Sequence, residues 1–212
     1  MQKIANIRKE YMLQSLLEKD IDQNPINQFE KWWQQAIESK IEEVNAMTLA
    51  TVNKEGHPAA RIVLLKGYDE NGFVFFSNYN SDKAKSIESN PNVCLVFFWK
   101  ELERQIRING TVEKITEAES DIYFNSRPLV SKIGAWASPQ SQELASRIVL
   151  ENSFNEYQEK FSSKEIARPP YWGGYNVIPN KVEFWQGRPG RLHDRILYTQ
   201  KEKNWVINRL AP

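Results

Sequence analysis

The sequence predicts a mainly β protein with flanking helices, whose antiparallel sheet curls into a barrel. Short runs rich in Val, Ile, Phe and Thr recur, separated by turns such as NKEG and DENG, and hairpins are built in this way. Helical patterns stand at the edges and in one crossover and do not alternate with the strands, which disfavours a doubly wound parallel sheet. With 212 residues, 41% of them hydrophobic, the chain can bury one sizeable core.

The first part of the chain differs from the rest in composition. Residues 1–23 are polar and of mixed charge, and we expect a partly mobile arm. Residues 24–212 are expected to form a single domain that starts with a helix, because Asn24 suits the N-cap and Pro25 the first helical position. An apolar face follows at helical spacing, formed by Phe29, Trp32, Trp33, Ala36 and Ile37.

The remaining elements are expected in a simple order. The next predicted strands are AMTLATV, PAARIVLLKGY and FVFFS, then a short helix in SDKAKSIESN, then the strands NVCLVFFW and RQIRINGTVEKI. Thr116 and Glu119 predict a capping box for a helix that reaches Ser126 and is interrupted at Pro128. A longer helix is predicted in SQELASRIVLENSFNEYQEKF and a loop in ARPPYWGGYN. The closing strands NKVEFWQG, RLHDRILYT and NWVINRLAP bring the total to between six and eight.

Composition excludes several classes of function. A net charge of +1 gives no electrostatic case for nucleic acid, and the aromatic residues of VFFW are assigned to the core. No apolar run approaches the roughly 20 residues of a membrane span, and the N-terminus lacks the pattern of a signal peptide, so we expect a cytoplasmic protein. Cys94, the single cysteine, is expected to be a buried thiol. One Cys and two distant His predict no metal site.

The stretch FWQGRPGRLHDR carries the most distinctive pattern of cationic side chains. In a strand, Arg191, His193 and Arg195 would share one face. Such a row repels itself unless an anion lies against it; a solvated strand face beside Asp194 is the alternative. We expect His193 to be neutral between the two arginines and able to accept a hydrogen bond.

Three other segments concentrate cations and hydroxyl groups. They contain Arg61 and Lys66 in RIVLLK; Ser77, Ser81, Lys83 and Lys85 at a strand-to-helix junction; and Tyr123, Arg127, Ser131, Gln140 and Ser141 in a third segment. Arg grips a phosphate with two parallel bonds and Lys acts as a point charge. Separate clusters in a near-neutral chain could serve two phosphorylated ligands, although each cation taken alone is more often simply solvated. Neither standard phosphate-binding glycine loop is present, and the side chains alone look inadequate for hard chemistry, which favours an organic cofactor.

Taken together, these motifs resemble one family. RIVLLK, FFSNYNSDKA, ERQIRINGTVEK, YFNSRP, IGAWASPQS, FWQGRPGRLHDR and the ending NWVINRLAP are similar to those of the pyridoxine/pyridoxamine 5′-phosphate oxidase family, from about Arg8 onward. The resemblance implies an FMN-binding antiparallel split β-barrel that works as a homodimer, with FMN and the active sites at the subunit interface. It also implies oxidation of pyridoxamine 5′-phosphate and pyridoxine 5′-phosphate to pyridoxal 5′-phosphate by O2, which yields H2O2, and NH3 from the amine.

The resemblance also implies roles for individual residues. The catalytic residues would be Arg191 and His193. FMN-binding positions would be Arg61, Ile62, Val63, Leu64, Leu65, Lys66, Phe76, Ser77, Asp82, Lys83, Gln105, Gln140, Ser141, Trp185 and Arg195. Substrate-binding positions would be Arg8, Lys9, Glu10, Tyr11, Lys66, Tyr123, Arg127, Ser131, Arg191, Leu192 and His193. Asp82 departs from the family, where arginine is frequent; either it turns outward or Lys85 supplies the missing charge.

Other functions remain open at this point. A split-barrel flavin reductase acting on another substrate would share these motifs, as would a non-catalytic carrier of flavin or pyridoxal phosphate. A nucleic-acid-binding module is the weakest alternative, given the near-zero net charge.

Overall fold

The structure is a computed structural model that describes Ile4, Asn6 and residues 9–212. The described residues form five α-helices: α1 (Pro25–Glu38), α2 (Asp82–Ser89), α3 (Glu117–Ser126), α4 (Leu129–Ala137) and α5 (Arg147–Lys160). They form nine strands: β1 (Ala46–Val52), β2 (Pro58–Leu64), β3 (Gly67–Asp69), β4 (Gly72–Asn78), β5 (Asn92–Trp99), β6 (Arg104–Lys114), β7 (Trp172–Gln186), β8 (Asp194–Lys201) and β9 (Asn204–Arg209).

One antiparallel sheet contains all these strands, in the order β2-β1-β5-β6-β7-β4-β3, with β8 on β7 and β9 on β8. β7 is long enough to serve two partners on one edge: β4 pairs with its first part and β8 with its last. β6 pairs along the other edge, with a register shift between Asn109 and Gly110. A Cβ on Gly110 would lie 2.3 Å from the Ile178 carbonyl oxygen. Such an irregularity bends the strand and increases its twist, so the sheet curls.

Helix α1 closes one side of the main core. The Asn24 side chain accepts a hydrogen bond from the Ile26 amide at 2.8 Å, and Pro25 occupies the first turn, as predicted. Phe29 is fully buried, with its ring centroid 5.0 Å from that of Phe73. Burial of such a ring stabilises the fold by about 1.5–3 kcal/mol. Ile37, which we placed on the apolar face, is 46% exposed.

A second, smaller core lies under α3, α4 and α5 and contains Phe124, Ile133, Ile166 and Trp172. The predicted capping box is present: Thr116 Oγ1 accepts from the Glu119 amide, and the Glu119 carboxylate accepts from the Thr116 amide at 3.0 Å. This small core fixes α3 and α4 against the start of β7.

Several predicted boundaries are wrong. The PAARIVLLKGY strand is broken after Leu64, because the chain turns there and the Lys66 amide bonds to the Val74 carbonyl. Much of the predicted loop ARPPYWGGYN belongs to β7, because Trp172 pairs with Asn78 of β4. The predicted helix from Ser141 begins only at Arg147, since a turn with Ser141 at φ +70° precedes it. The helix α4 was not predicted.

Two side chains of β5 are less buried than expected. Cys94 is half-buried, because it faces outward while its neighbours Val93 and Leu95 point into the core. Burial still raises the pKa of its thiol. Phe98 of the VFFW run is 55% exposed, whereas Phe97 and Trp99 are buried as predicted. In the part of the chain that the structure describes, none of the helices combines the length and apolar character needed to cross a bilayer.

Candidate active site

A cavity of about 620 Å³ opens between strand β2, the end of β4 and the helix pair α3–α4. It brings together residues from three of the four predicted segments. These are Ile62, Val63, Leu64, Lys66, Phe76, Ser77, Lys83, Tyr123, Arg127, Ser131 and Gln140. The cations and hydroxyl groups that lie far apart in the sequence therefore line one surface.

Arg127 is the most distinctive donor in this cavity. Its Nη1 atom is buried and has no hydrogen-bond partner among the described residues. Burial lowers the pKa of the guanidinium, which nevertheless stays charged near neutral pH. A buried donor of this kind costs free energy until an acceptor reaches it. The arrangement calls for an anionic ligand.

A second cationic group lies at the start of α2. Lys83 Nζ donates to Gln140 Oε1 at 3.0 Å and to Ser81 Oγ at 3.1 Å. Burial, followed by repulsion from Arg61, lowers the pKa of Lys83. Arg61 donates to the Leu49 carbonyl and to Thr51 Oγ1. Two cations thus face each other at a helix start, which is a favourable place for a phosphate.

The Asp82 carboxylate is largely exposed to solvent beside the cluster of Lys83 and Arg61. Its side chain is 72% exposed, and its Oδ1 atom lies 3.9 Å from Lys85 Nζ. Asp82, Lys85 and Arg61 line a separate depression beside the cavity. The geometry favours the first of the two expectations for Asp82, an outward-turned carboxylate.

A second cavity, of about 560 Å³, lies at the far end of β7. Its lining contains five of the predicted site residues: Lys9, Glu10, Tyr11, Arg191 and His193. The ring centroids of His193 and Trp185 are 4.6 Å apart, and those of Tyr11 and Trp185 are 5.7 Å apart. A Cβ on Gly187 would lie 2.7 Å from the Tyr11 ring, so glycine there lets the N-terminal segment approach β7.

Glu103 anchors this N-terminal segment. Its carboxylate, 2% exposed, accepts hydrogen bonds from the amides of Met12 at 2.9 Å and Leu13 at 3.1 Å, and it pairs with Lys9. Burial raises the pKa of Glu103, but these hydrogen bonds outweigh it and the net pKa is lowered. The ionised Glu103 side chain therefore holds the part of the segment next to Tyr11, while Asp194 and Arg209 hold Leu16 further along.

The predicted row of Arg191, His193 and Arg195 on one strand face is wrong. Pro189–Arg191 forms a 3₁₀ turn in which Gly190 and Arg191 have φ of +64° and +62°, and β8 begins only at Asp194. A turn does not alternate its side chains between two faces. Arg191 and His193 remain together at the cavity, while Arg195 belongs to the strand.

His193 also differs from expectation in its hydrogen bonding. Burial, followed by repulsion from Arg191, lowers its pKa, so the expected neutral form is supported. Its Nδ1 atom already accepts from the Arg188 amide at 3.1 Å. A neutral imidazole that accepts at Nδ1 carries its proton on Nε2. His193 therefore offers a ligand a donor rather than the predicted acceptor.

Arg195 is held by an acidic residue that we did not single out. Glu183 of β7, 3% exposed, accepts from Arg195 Nε at 2.8 Å and also pairs with Arg107. The hydrogen bond with Glu183 raises the pKa of Arg195. Gln105 and Arg107 share the outward face of β6, and Gln105 pairs in register with Trp185.

Three further predicted residues, Leu65, Ser141 and Leu192, lie outside both cavities. Leu65 is buried in the main core, Leu192 is 73% exposed, and Ser141 is exposed in its turn. Arg8 lies outside the described residues.

Trp172 is a lining residue that sequence reasoning missed. We assigned it to a loop, although the pair Gly173–Gly174 that follows it is a signal of close backbone approach. A Cβ on Gly173 would lie 2.1 Å from Tyr79 Oη. The glycines let β7 pack closely against its neighbours, and this places Trp172 in the cavity wall.

Comparison with known proteins gives matches along the chain. Residues 33–161 match a family model described as pyridoxamine 5′-phosphate oxidase. Residues 172–212 match a second model, described as the pyridoxine 5′-phosphate oxidase C-terminal dimerisation region.

Curated relatives match over nearly the whole chain. A pyridoxine/pyridoxamine 5′-phosphate oxidase of Trichormus variabilis is 54% identical over 210 residues, which cover 99% of this chain and 98% of the relative. Pyridoxine/pyridoxamine 5′-phosphate oxidase 1 of Ralstonia nicotianae is also 54% identical, with 100% of both chains covered.

Solved structures share the fold. PhzG from Burkholderia lata, in complex with tetrahydrophenazine-1-carboxylic acid, superposes with a TM-score of 0.89 at 27% identity, covering 94% of this chain and 99% of that one. A pyridoxamine 5′-phosphate oxidase-related, FMN binding protein from Nostoc punctiforme gives a TM-score of 0.70 at 18% identity, covering 87% and 97%. The expected split β-barrel is confirmed.

Proposed function

Because the chain belongs to the pyridoxamine 5′-phosphate oxidase family, we propose that it oxidises pyridoxamine 5′-phosphate and pyridoxine 5′-phosphate to pyridoxal 5′-phosphate. FMN is the cofactor in this proposal and O2 the acceptor. The products are H2O2 and, from the amine, NH3. The observation that carries the proposal is the buried, unpartnered Nη1 atom of Arg127 in the main cavity.

The substrate phosphate fits the donors on one wall of this cavity. Arg127, Lys66, Tyr123 and Ser131 all line it, and a guanidinium can place two parallel bonds on a phosphate. A phosphate oxygen would satisfy the Arg127 Nη1 donor. This grip lies away from the reacting carbon, so it accelerates the reaction by positioning the substrate.

FMN fits the opposite wall. Lys83 and Arg61 repel each other at the start of α2, and an FMN phosphate would relieve that repulsion. Ser77 and Gln140 stand beside Lys83, with Ser77 Oγ and Gln140 Oε1 3.4 Å apart, and offer further polar groups. When bound, FMN supplies the two-electron acceptor that the side chains lack.

The two cavities support a site built from two chains. Trp172 and Trp185 are at opposite ends of β7, roughly 40 Å apart along the strand at about 3.3 Å per residue. A second copy of the chain would bring its Trp185–His193 cluster to the first cavity. Ile62 and Phe98 are 64% and 55% exposed, and residues 172–212 match a dimerisation region. We therefore propose a homodimer with active sites at the interface.

Arg191 and His193 act on the substrate in this arrangement. Arg191 is exposed at the second cavity and supplies a fixed positive charge near the reacting carbon. His193, neutral and protonated on Nε2, donates a hydrogen bond to the substrate ring. Lys9, Glu10 and Tyr11 of the N-terminal segment cover the site and exclude water.

Reduction of the flavin tests the proposal. Purified protein reconstituted with FMN should show the yellow flavin spectrum, and anaerobic pyridoxamine 5′-phosphate should bleach it. Arg127→Met should raise the KM for this substrate about thirtyfold, on the order of 2 kcal/mol, because the bidentate contact is lost. Flavin that stays oxidised with either phosphorylated substrate would refute the proposal.

The other candidates give different results in the same assay. A flavin reductase retains FMN but does not oxidise pyridoxamine 5′-phosphate, and a carrier produces no peroxide. A reduced phenazine carboxylic acid, of the kind bound by PhzG, belongs in the substrate panel. Preference for that carboxylate over both phosphorylated substrates would favour a different reaction.

A further inference from the structure

Trp172 forms a flat wall behind the donors of the main cavity. It is the first residue of β7, it is 7% exposed and it lines the cavity. Its ring is nearly parallel to that of Tyr123, with an interplanar angle of 6° and centroids 6.2 Å apart. Phe76 stacks on both, with centroids 3.8 Å from Tyr123 and 5.4 Å from Trp172.

The same indole ring supports the guanidinium of Arg127. The Arg127 Cζ atom lies 4.6 Å from the Trp172 ring centroid and 5.6 Å from that of Phe124. A cation over an indole face is attracted by the ring quadrupole, more strongly where water is excluded. Among the described residues no other group binds Arg127 Nη1, so the aromatic contacts are what orient the guanidinium plane.

Trp172 is itself held rigidly through its backbone. Its amide donates to the Pro169 carbonyl at 3.0 Å, and its carbonyl accepts from Arg168 Nη1 at 2.6 Å. Arg168 is fixed in turn by Asp121 of α3, at 2.6 Å. Trp172 also pairs in register with Asn78. Trp172 is 7% exposed and its ring packs edge-on against Phe124, with centroids 5.3 Å apart, so the backbone and the packing together hold the indole as a fixed surface for Arg127.

We propose that Trp172 is a positioning residue for the substrate phosphate, which it sets by fixing Arg127 directly and Tyr123 through Phe76. This inference rests on the proposed function and adds a residue that does not itself contact the phosphate. A flexible arginine must lose rotamer freedom when it binds an anion. The indole face already restricts the rotamers of Arg127 before the anion binds, so less entropy is lost on binding. Removal of the indole should therefore weaken phosphate binding and leave ligands without a phosphate unaffected.

The test measures equilibrium binding of pyridoxal 5′-phosphate and of pyridoxal, by calorimetry on the FMN-loaded protein. Trp172→Leu should weaken pyridoxal 5′-phosphate about tenfold and change pyridoxal by less than about twofold. Trp172→Phe keeps an aromatic face and should recover most of the loss. The KM for pyridoxamine 5′-phosphate should rise in parallel, with kcat nearly constant.

Trp136→Leu is the matched control. Trp136 packs in the same small core, against Tyr157, Phe161 and Tyr171, but is absent from the wall of the main cavity. Trp136→Leu should lower the free energy of unfolding about as much as Trp172→Leu does, without changing the preference for the phosphorylated ligand. If Trp172→Leu and Trp136→Leu shift that preference equally, the role of Trp172 is structural and the proposal is wrong.

A double-mutant cycle with Arg127→Met keeps the proposal testable if Trp172→Leu folds poorly, because Trp172→Met, which also lacks an aromatic face and has an adaptable unbranched side chain, can replace it in the cycle. If Trp172 acts through Arg127, the two substitutions together cost less than the sum of their separate effects. Additive effects would overturn the proposal. Failure of the wild-type protein to prefer pyridoxal 5′-phosphate over pyridoxal would instead overturn the proposed function.

Discussion

Replacement of Glu103 by alanine should release the N-terminal segment from the second cavity. The carboxylate accepts two backbone amides, from Met12 and Leu13, and pairs with Lys9. Alanine is preferable to glycine because Glu103 has φ +55°, and glycine there would relieve backbone strain and mask the loss of the acceptor.

The structure sets the size of the effect. Hydrogen bonds to a charged group contribute about 1.5–3 kcal/mol each, but the released amides belong to exposed residues and can bind water, and a buried charge disappears. Lys9 is 65% exposed, so its ion pair adds little. We expect the free energy that favours the docked segment over the open segment to fall by about 2 kcal/mol, which raises the open fraction about thirtyfold. Leu16 stays buried in the core, so only the first part of the segment opens.

Limited proteolysis measures this opening. Chymotrypsin can cut after Tyr11 only when its ring leaves Gly187 and Trp185, and in the fast-opening regime the rate follows the open fraction. Cleavage should be about thirtyfold faster in Glu103→Ala and less affected in Glu103→Gln, which keeps one oxygen acceptor. Glu101→Ala, in the same turn but with only a surface pair to Lys100, should leave the rate unchanged. Equal rates for Glu103→Ala and the wild type would refute the anchoring role.

Three further predictions concern the cavities. Asp82→Arg should tighten FMN binding by less than about threefold at physiological salt, since Asp82 already turns toward Lys85; a larger gain by fluorescence titration would place the carboxylate against the phosphate. Arg191→Ala should lower kcat/KM at least about tenfold, on the order of 1.4 kcal/mol, and wild-type turnover would remove Arg191 from the reaction. His193, with a pKa lowered from 6.5, should titrate below 6.5 by NMR. The folded protein disfavours the protonated imidazole, so the contribution of His193 to folding stability is full above pH 6.5 and declines as the pH falls through the lowered pKa. A titration midpoint above 6.5 would contradict the burial that we describe.

Local signals in the sequence predicted the starts of α1 and α3 correctly. Asn24 and Thr116 cap their helices with bonds to residues two or three positions away, and such bonds depend on little beyond the local chain. The strand runs were also found, because alternation and turn residues act over a few positions. The errors occur where distant partners decide the structure, as in β7, which extends back to Trp172 through its pairing with Asn78.

Sequence motifs pointed to the cationic residues that line the main cavity, but not to the groups that orient them. Arg127 and Lys83 stand in recognisable motifs, whereas Trp172 and Glu103 reach the site from other parts of the chain and carry no local signal of it. At the second cavity, by contrast, the sequence was misleading, because the predicted Arg191–Arg195 row does not form. There the φ of +62° at Arg191 breaks the strand, a conformation rare for residues other than glycine, and alternation could not reveal it.

Glu183 shows why the row could not be interpreted from charge alone. We inferred an external anion because three donors at alternate positions repel one another. The protein itself supplies part of the negative charge, because the Glu183 carboxylate pairs with Arg195 and Arg107 across three neighbouring strands. A carboxylate that is 3% exposed is stable only when paired, and Arg195 Nε supplies one of its two partners. An external anion is therefore needed most by Arg127 and Lys83, two half-buried cations of the main cavity that form no ion pair with a described residue, and this is where the proposed function places the two phosphates.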